Sequence, residues 1–187
     1  MIVPRAGLTA DGVVRTALEI VDEGGPEALT LATLASRSGV ATPSLYKHVG
    51  SLADLRSRVA ARVLGEITDV ATAAVVGRSG DDAVAALMRE LRAYALAHPN
   101  RYIAVPADPA HDPALVEPAG RLLDVFFAVL RGFQLDQPAA VHATRCLRVI
   151  VHGFAAIESA GGFGFAEDPG VTYDLLIDMF IASLHRR

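Results

Sequence analysis

Thr30-Leu31-Ala32-Thr33-Leu34-Ala35-Ser36-Arg37-Ser38-Gly39-Val40-Ala41-Thr42-Pro43-Ser44-Leu45-Tyr46-Lys47-His48-Val49 is the stretch that decides the fold. Thr30 stands where a hydroxyl accepts an orphan amide of a first helical turn. Leu31, Leu34 and Ala35 then recur at helical spacing over Leu31–Ser38. Gly39 supplies a sharp turn, because glycine alone enters the left-handed region freely, and Val40 plugs beneath it. Thr42 is expected to cap a second, very short helix with Pro43 in its first turn, where a missing amide costs little. Leu45 and Val49, four apart, anchor that helix inward. At about 100° per residue, Pro43 and Lys47 then fall on the opposite, exposed side.

The flanking sequence continues the helical pattern. Val13, Val14, Ala17, Leu18 and Val21 share one face of a helix from about Thr9 to Glu23, which Gly24-Gly25-Pro26 ends. Ser51-Leu52-Ala53-Asp54 has a capping-box pattern, and it opens a helix with Leu52, Leu55, Val59 and Val63 inside. Gly77-Arg78-Ser79-Gly80 is the best boundary candidate. A helix is expected over about Asp81–Ala97, stopping at His98-Pro99, followed by an irregular stretch with Pro106, Pro109, Pro113 and Pro118. Three more helices are expected, from about Pro118 to Arg131, Asp136 to Ser159, and Pro169 to His185. The fold class is therefore all-α, with about eight to nine helices. Residues 1–50 form a three-helix helix-turn-helix domain, 51–80 a connecting helix and linker, and 81–187 a helical ligand-binding and dimerisation domain.

Composition agrees and narrows the function. Apolar residues make up 52% of the 187 and aromatic ones 6%, with alanine and leucine, both strong helix formers, prominent. The net charge of −4 argues against indiscriminate coating of nucleic acid. Its distribution is uneven: residues 1–64 carry seven basic and six acidic side chains, residues 65–187 ten and fifteen. A near-neutral head on an acidic body suits selective docking by one end. Lys47 is the one lysine against sixteen arginines, a bias that a GC-rich genome accounts for in composition though not in position. The single cysteine, Cys146, excludes an intrachain disulfide framework and a multi-cysteine zinc site. No secretory pattern and no apolar run of roughly 18–20 residues is visible, so a cytoplasmic chain without membrane contact is expected.

Two short helices joined by a glycine turn make a helix-turn-helix, whose second helix enters the major groove of DNA. The Tyr46 hydroxyl, Lys47 ammonium and His48 imidazole can bond phosphate oxygens, setting register without reading sequence. Base reading then falls to Thr42, Pro43 and Ser44, with a share for Lys47. The segment Leu8 to Val63 resembles the N-terminal domain of the TetR family of transcriptional repressors. The matching stretches are Leu29-Thr30-Leu31-Ala32-Thr33-Leu34-Ala35, Ser38-Gly39-Val40, Pro43-Ser44-Leu45-Tyr46-Lys47-His48-Val49 and Ser51-Leu52-Ala53-Asp54-Leu55. The resemblance implies backbone contacts by Tyr46 and His48, groove-facing positions at Thr42, Pro43, Ser44 and Lys47, and approach of Thr30 to phosphate. It also implies a repressor released from its operator by a small effector. The later sequence resembles a subgroup with a tryptophan-or-other–His–Gly signature, here Val151-His152-Gly153-Phe154, and with a His-Pro segment, here His98-Pro99-Asn100-Arg101-Tyr102.

In the body, Tyr173, Leu176, Ile177, Phe180 and Leu184 form one face of the last helix, and Leu175, Met179 and Ala182 carry the apolar surface round it. With Leu147, Ile150 and Phe154 of the preceding helix, the first five are the expected homodimer interface, which would set two reading helices about 34–36 Å apart. Tyr94, Tyr102, Phe126, Phe127 and Leu130 are expected to line a cavity for a hydrophobic or aromatic effector, with Arg145 and His152 as polar contacts. Neither a cofactor nor a metal is expected, since the six histidines are scattered. The rival reading is a helical small-molecule-binding or enzymatic protein without a DNA function. Its support is thin: Cys146, between Ala143 and Leu147, is expected to be an inert buried thiol, and Gly161-Gly162-Phe163-Gly164 lacks the lysine of a phosphate loop.

Overall fold

The computed structural model describes residues 8–185, so residues 1–7, where the first expected domain begins, lie outside the described residues. Among the described residues there are nine α-helices and no strand. They are α1 (Ala10–Gly24), α2 (Leu31–Ser38), α3 (Thr42–Leu45), α4 (Leu52–Val75), α5 (Gly80–Ala97), α6 (Pro99–Ala104), α7 (Pro113–Leu130), α8 (Gln137–Ser159) and α9 (Pro169–His185). None is long and apolar enough to cross a membrane. The helices form two compact units, and the division does not follow the linear scheme 1–50, 51–80 and 81–187. The first unit takes the chain up to Val63 together with Asn100–Glu117; the second takes Leu64–Pro99 and the chain from Pro118 onward. Both α4 and α7 contribute residues to each unit.

In the first unit, the Thr9 hydroxyl accepts the Gly12 amide at 3.0 Å to start α1. Val13, Ala17, Leu18, Ile20 and Val21 form its buried face. Thr30 caps α2 as expected, and the cap is reciprocal: Thr33 N–H donates to Thr30 Oγ1 and Thr30 N–H to Thr33 Oγ1, both at 3.0 Å. Two of the orphan amides at this helix start are thereby satisfied. At the other end Gly39 sits at φ 65°, ψ 32°, and the Val40 amide returns to the Ala35 carbonyl at 3.1 Å. This left-handed cap explains the glycine.

Thr42 is not the cap it was expected to be. The cap of α3 is Ala41, in extended geometry, and Thr42 is already the first helical residue, without a side-chain capping bond. A pre-proline residue prefers extended backbone, yet Thr42 lies inside α3. Tyr46, Lys47 and His48 follow α3 as turns, with the His48 and Val49 amides both bonded to the Leu45 carbonyl, at 2.8 and 3.0 Å.

Two further differences concern the stretch expected to be irregular. α6 forms directly after His98, and α7 begins at Pro113, leaving Pro118 inside the helix. Pro113 takes the first position, where its missing amide is an orphan anyway. The Asp112 carboxylate accepts the Ala114 amide at 2.9 Å. Pro118 removes only the amide that would have reached the Ala114 carbonyl.

In the second unit α5, α8 and α9 pack on one another. Tyr173 is fully buried, and its hydroxyl donates to the Met88 carbonyl at 2.8 Å. The Arg92 guanidinium lies over both the Phe154 and Tyr173 rings, 5.3 and 5.0 Å from their centroids, which are 4.9 Å from each other. It also grips Glu158 by two bonds of 2.8 and 2.6 Å. Bidentate pairing and ring stacking suit the planar guanidinium and fix the three helices in one register.

Candidate functional site

The reader is built from short-range rules. α3 is a single turn, too short to hold itself, so its neighbours orient it. Leu45 is fully buried and Val49 nearly so. Arg58 on α4 donates from Nε to Asp54 Oδ1 at 3.0 Å and from Nη1 to the His48 carbonyl at 3.1 Å. The same Asp54 accepts the Gly50 amide at 2.8 Å, while the Ser51 hydroxyl accepts the Asp54 amide at 3.0 Å. Arg58 first, then the Gly50 amide, hold the Asp54 carboxyl below its ordinary range. On the other side Arg37 of α2 pairs with Glu23 of α1, with one bond of 2.7 Å. That bond is the main cause holding the Glu23 carboxyl below its ordinary range.

With the backbone held this way, Pro43, Tyr46 and Lys47 are exposed, and Thr42, Ser44 and His48 are half-buried. Tyr46 is 57% exposed, and neither its hydroxyl nor the Lys47 ammonium has a partner among the described residues. The structure thus gathers Thr42, Pro43, Ser44, Tyr46, Lys47 and His48 around one turn, with Leu45 beneath them. Thr30 stands apart at the start of α2, half-buried, its hydroxyl engaged with Thr33. Sequence reasoning missed Arg58 and Arg37 as supports. The pairing of Arg58 with Asp54 four residues earlier is a helical salt-bridge spacing that could have found the first.

A second feature has no counterpart in the sequence reading. The Arg101 guanidinium of α6 grips the Asp22 carboxylate of α1 with bonds of 2.7 and 2.6 Å, and the Asn100 amide donates to the Asp22 carbonyl at 2.9 Å. The Ser57 hydroxyl of α4 donates to Asp112 at 2.5 Å. These bonds explain why residues 100–117 group with the head. Beside them lies a small open groove of about 120 Å³, walled by Val21, Leu29, Arg56, Val59 and Ile103. None of the expected effector residues lines it.

Those effector residues divide. Tyr102 belongs to the first unit, the other six to the second. Tyr94, Phe126 and Leu130 are buried, Phe127 is half-buried, and Arg145 and His152 lie on the outward side of α8. The Tyr94 hydroxyl donates to Glu66 at 2.9 Å, and its ring packs 5.0 Å from that of His98. Partial dehydration, then the Arg148 charge, lower the His152 pKa from the ordinary histidine value.

The expected dimer residues take the following places within the single chain. Leu147, Phe154, Tyr173, Ile177, Phe180 and Leu184 are all buried within the chain's own core, and Ile150 and Leu176 are half-buried. A side chain already covered by its own subunit has little surface left for a partner. The apolar surface left open is instead Val149 and Ile157 on α8 and Val171, Leu175 and Met179 on α9. Cys146 is likewise exposed on α8, not buried as expected.

Comparison with known proteins bears on the whole chain. Residues 13–59 match the family model described as bacterial regulatory proteins, tetR family. Residues 84–180 match the tetracyclin repressor-like C-terminal domain. A Mycobacterium tuberculosis protein described as the uncharacterized HTH-type transcriptional regulator Rv0681 is 33% identical over 97% of this chain and 84% of its own length. Among solved structures, BioQ with its double-stranded DNA operator superposes with a TM-score of 0.74 at 20% identity, over 96% of this chain and 99% of that one. A single-site variant of TetR from Acinetobacter baumannii in complex with minocycline gives 0.74 at 22% identity, over 96% and 97%. Helix-turn-helix geometry, the two family matches and the near-full-length relative converge: the chain belongs to the TetR family of DNA-binding transcriptional regulators.

Proposed function

We propose that the chain is a homodimeric repressor that holds operator DNA through the turn at residues 42–48 and releases it when a small hydrophobic or aromatic molecule binds the body. The observation that carries this reading is the division of labour around α3. Leu45, Val49 and the Arg58 bond to the His48 carbonyl fix the backbone, while Tyr46 and Lys47 are held outward and uncommitted. Preorganised donors on a rigid turn are what phosphate contacts need. Thr42, Pro43 and Ser44 precede them at the position from which a reading helix meets base edges.

The open apolar stripe of Val149, Ile157, Val171, Leu175 and Met179 supports pairing of α8 and α9 with a second copy. Exposed apolar residues gathered on two neighbouring helices mark an interaction surface. The aromatic side chains Tyr94, Phe126 and Phe127 of the body support a hydrophobic effector by their chemistry, and the solved relative bound to minocycline adds to that support. A ligand acts on DNA binding only through its differential affinity for two arrangements, about 1–3 kcal/mol in typical cases, or roughly 5–150-fold in affinity. α4, which runs unbroken from head residues into body residues, is the covalent route for that coupling. The reading places the protein in the cytoplasm and gives it no catalytic role. Fluorescence anisotropy on the DNA flanking its own gene, across a salt series and beside scrambled DNA, tests it. Selective binding that weakens with salt supports the repressor. Lack of selectivity both there and in an unbiased operator selection would overturn it.

A further inference from the structure

We propose that Lys47 is an acylation site through which an activated acetyl group lowers the chain's hold on DNA. The inference rests on Lys47 facing DNA and adds a chemistry to that position. Lys47 is the one lysine in 187 residues. It lies exposed on the turn after α3, and its ammonium makes no ion pair or hydrogen bond among the described residues. The guanidiniums nearest in sequence are occupied: Arg37 with Glu23, Arg56 with Glu27 and Arg58 with Asp54. A guanidinium stays protonated at every physiological pH, whereas an amine can lose its proton and react. The head therefore holds structural cations that acyl donors leave alone and one side-chain amine that they can neutralise. Acylation there removes a charge without breaking any bond that supports the fold.

The step balances simply. The Lys47 ammonium gives one proton to water, and the free amine attacks the acetyl carbonyl of an acyl phosphate or acyl thioester. The new C–N bond forms as the C–O or C–S bond breaks. Phosphate or thiolate leaves with the electron pair, and a second proton passes from nitrogen to the leaving group or to water. The product is a neutral amide, larger than the ammonium and with a single N–H.

The full chain is incubated with acetyl phosphate in one arm and acetyl coenzyme A in the other, beside Lys47→Arg treated identically. Intact mass and peptide mapping should show one acetyl group more on the native chain than on Lys47→Arg, a subtraction that removes any reaction at a terminal amine. In anisotropy on operator DNA, the acetylated native chain should bind about tenfold or more weakly than before treatment. The slope of log affinity against log salt should shrink by about 0.9 for each phosphate that is no longer neutralised. Lys47→Arg, whatever its starting affinity, should not respond to treatment. Absence of acetyl at Lys47 in both arms, under conditions that modify an exposed-lysine peptide, overturns the proposal. So does an acetylated chain with unchanged affinity and slope. Lys47→Ala separates the two kinds of failure. If it binds as the native chain does, Lys47 does not face DNA. If it binds weakly while the acetylated chain binds normally, Lys47 still meets DNA and the switch does not exist.

Discussion

Replacing Tyr46 by phenylalanine removes one oxygen and should separate DNA affinity from folding stability. The ring is 57% exposed and its hydroxyl has no partner among the described residues, so the free protein loses no bond. Surface changes of this kind stay within about 0.5 kcal/mol of neutral. For a chain of this length that moves the thermal midpoint by no more than about 2 °C. On DNA the loss is different. A hydrogen bond to a charged group contributes about 1.5–3 kcal/mol net, or roughly 10–150-fold for one bond. The proposed two-fold dimer would make that bond twice, so the smallest expected loss is about 3 kcal/mol, near 150-fold. The hydroxyl carries no charge, so the salt slope should stay as it was, unlike the effect of changing Lys47. Anisotropy at three salt concentrations and a thermal melt of the free variant are the two assays. A loss below about twofold at every salt concentration would remove Tyr46 from the interface. A midpoint several degrees lower would show the hydroxyl to be structural.

Gly39→Ala places a Cβ at φ 65° and should destabilise by about 1–2 kcal/mol, read as a lower urea midpoint with unchanged slope; an unchanged midpoint would contradict the turn geometry. Leu175→Asp combined with Met179→Asp charges two exposed positions and should give a folded monomer on light scattering, whereas a persistent dimer would place the interface elsewhere. The lowered His152 pKa means that the unfolded chain takes up this proton first as pH falls below about 6.5. Stability present above that value should therefore decline until pH passes the folded pKa, and His152→Asn should flatten the profile; parallel curves would refute the assignment. A double-mutant cycle on Asp22→Ala and Arg101→Ala should give a coupling above the roughly 0.2–1 kcal/mol of exposed pairs, because the pair is bidentate and its arginine only 22% exposed. Simple additivity would mean that the clasp does not hold.

The head is legible because its signals are local. A threonine at position 30, a glycine at 39 and a proline at 43 each restrict the backbone within a few residues, so their order alone specifies helix, turn and helix. Even there the cap lies one residue earlier than the pattern suggests, since a threonine before proline imitates a capping residue that the chain instead supplies from the Ala41 backbone. The start of α7 is hidden for a related reason. Asp112-Pro113 and Glu117-Pro118 are both acid–proline pairs, and nothing within four residues separates a true start from a proline that forgoes one internal bond. α6 is six residues long, shorter than two helical turns, so no period could show it. The clasp of Arg101 on Asp22 joins residues 79 apart, a distance over which sequence pattern carries no information. The last helix is the opposite case. It is apolar round most of its circumference, and periodicity cannot tell which apolar side faces its own core. Tyr173, Ile177, Phe180 and Leu184 lie inward, and Val171, Leu175 and Met179 outward.

The turn after α3 also shows why its supports and its proposed DNA contacts fall on different residues. One turn of helix has too few internal bonds to offset the ordering of its backbone, so α3 must borrow its orientation. Leu45 provides it through burial, Gly39 through its left-handed turn, and Arg58 through the His48 carbonyl. Leu45 acts from the core, and the exposed Gly39 and Arg58 act on the backbone alone, through a turn and a bond to a carbonyl. A phosphate-binding donor has the reverse requirement, since any partner in the free protein must be given up before DNA is bound and subtracts from affinity. Tyr46 and Lys47 meet it by having none among the described residues, on a backbone that others hold still. Loss of an inward support should therefore weaken stability and DNA binding together, and loss of an outward donor should weaken binding alone. A variant of Leu45 that melted earlier yet bound operator undiminished would break that logic, because it would show that the turn keeps its orientation without its anchor.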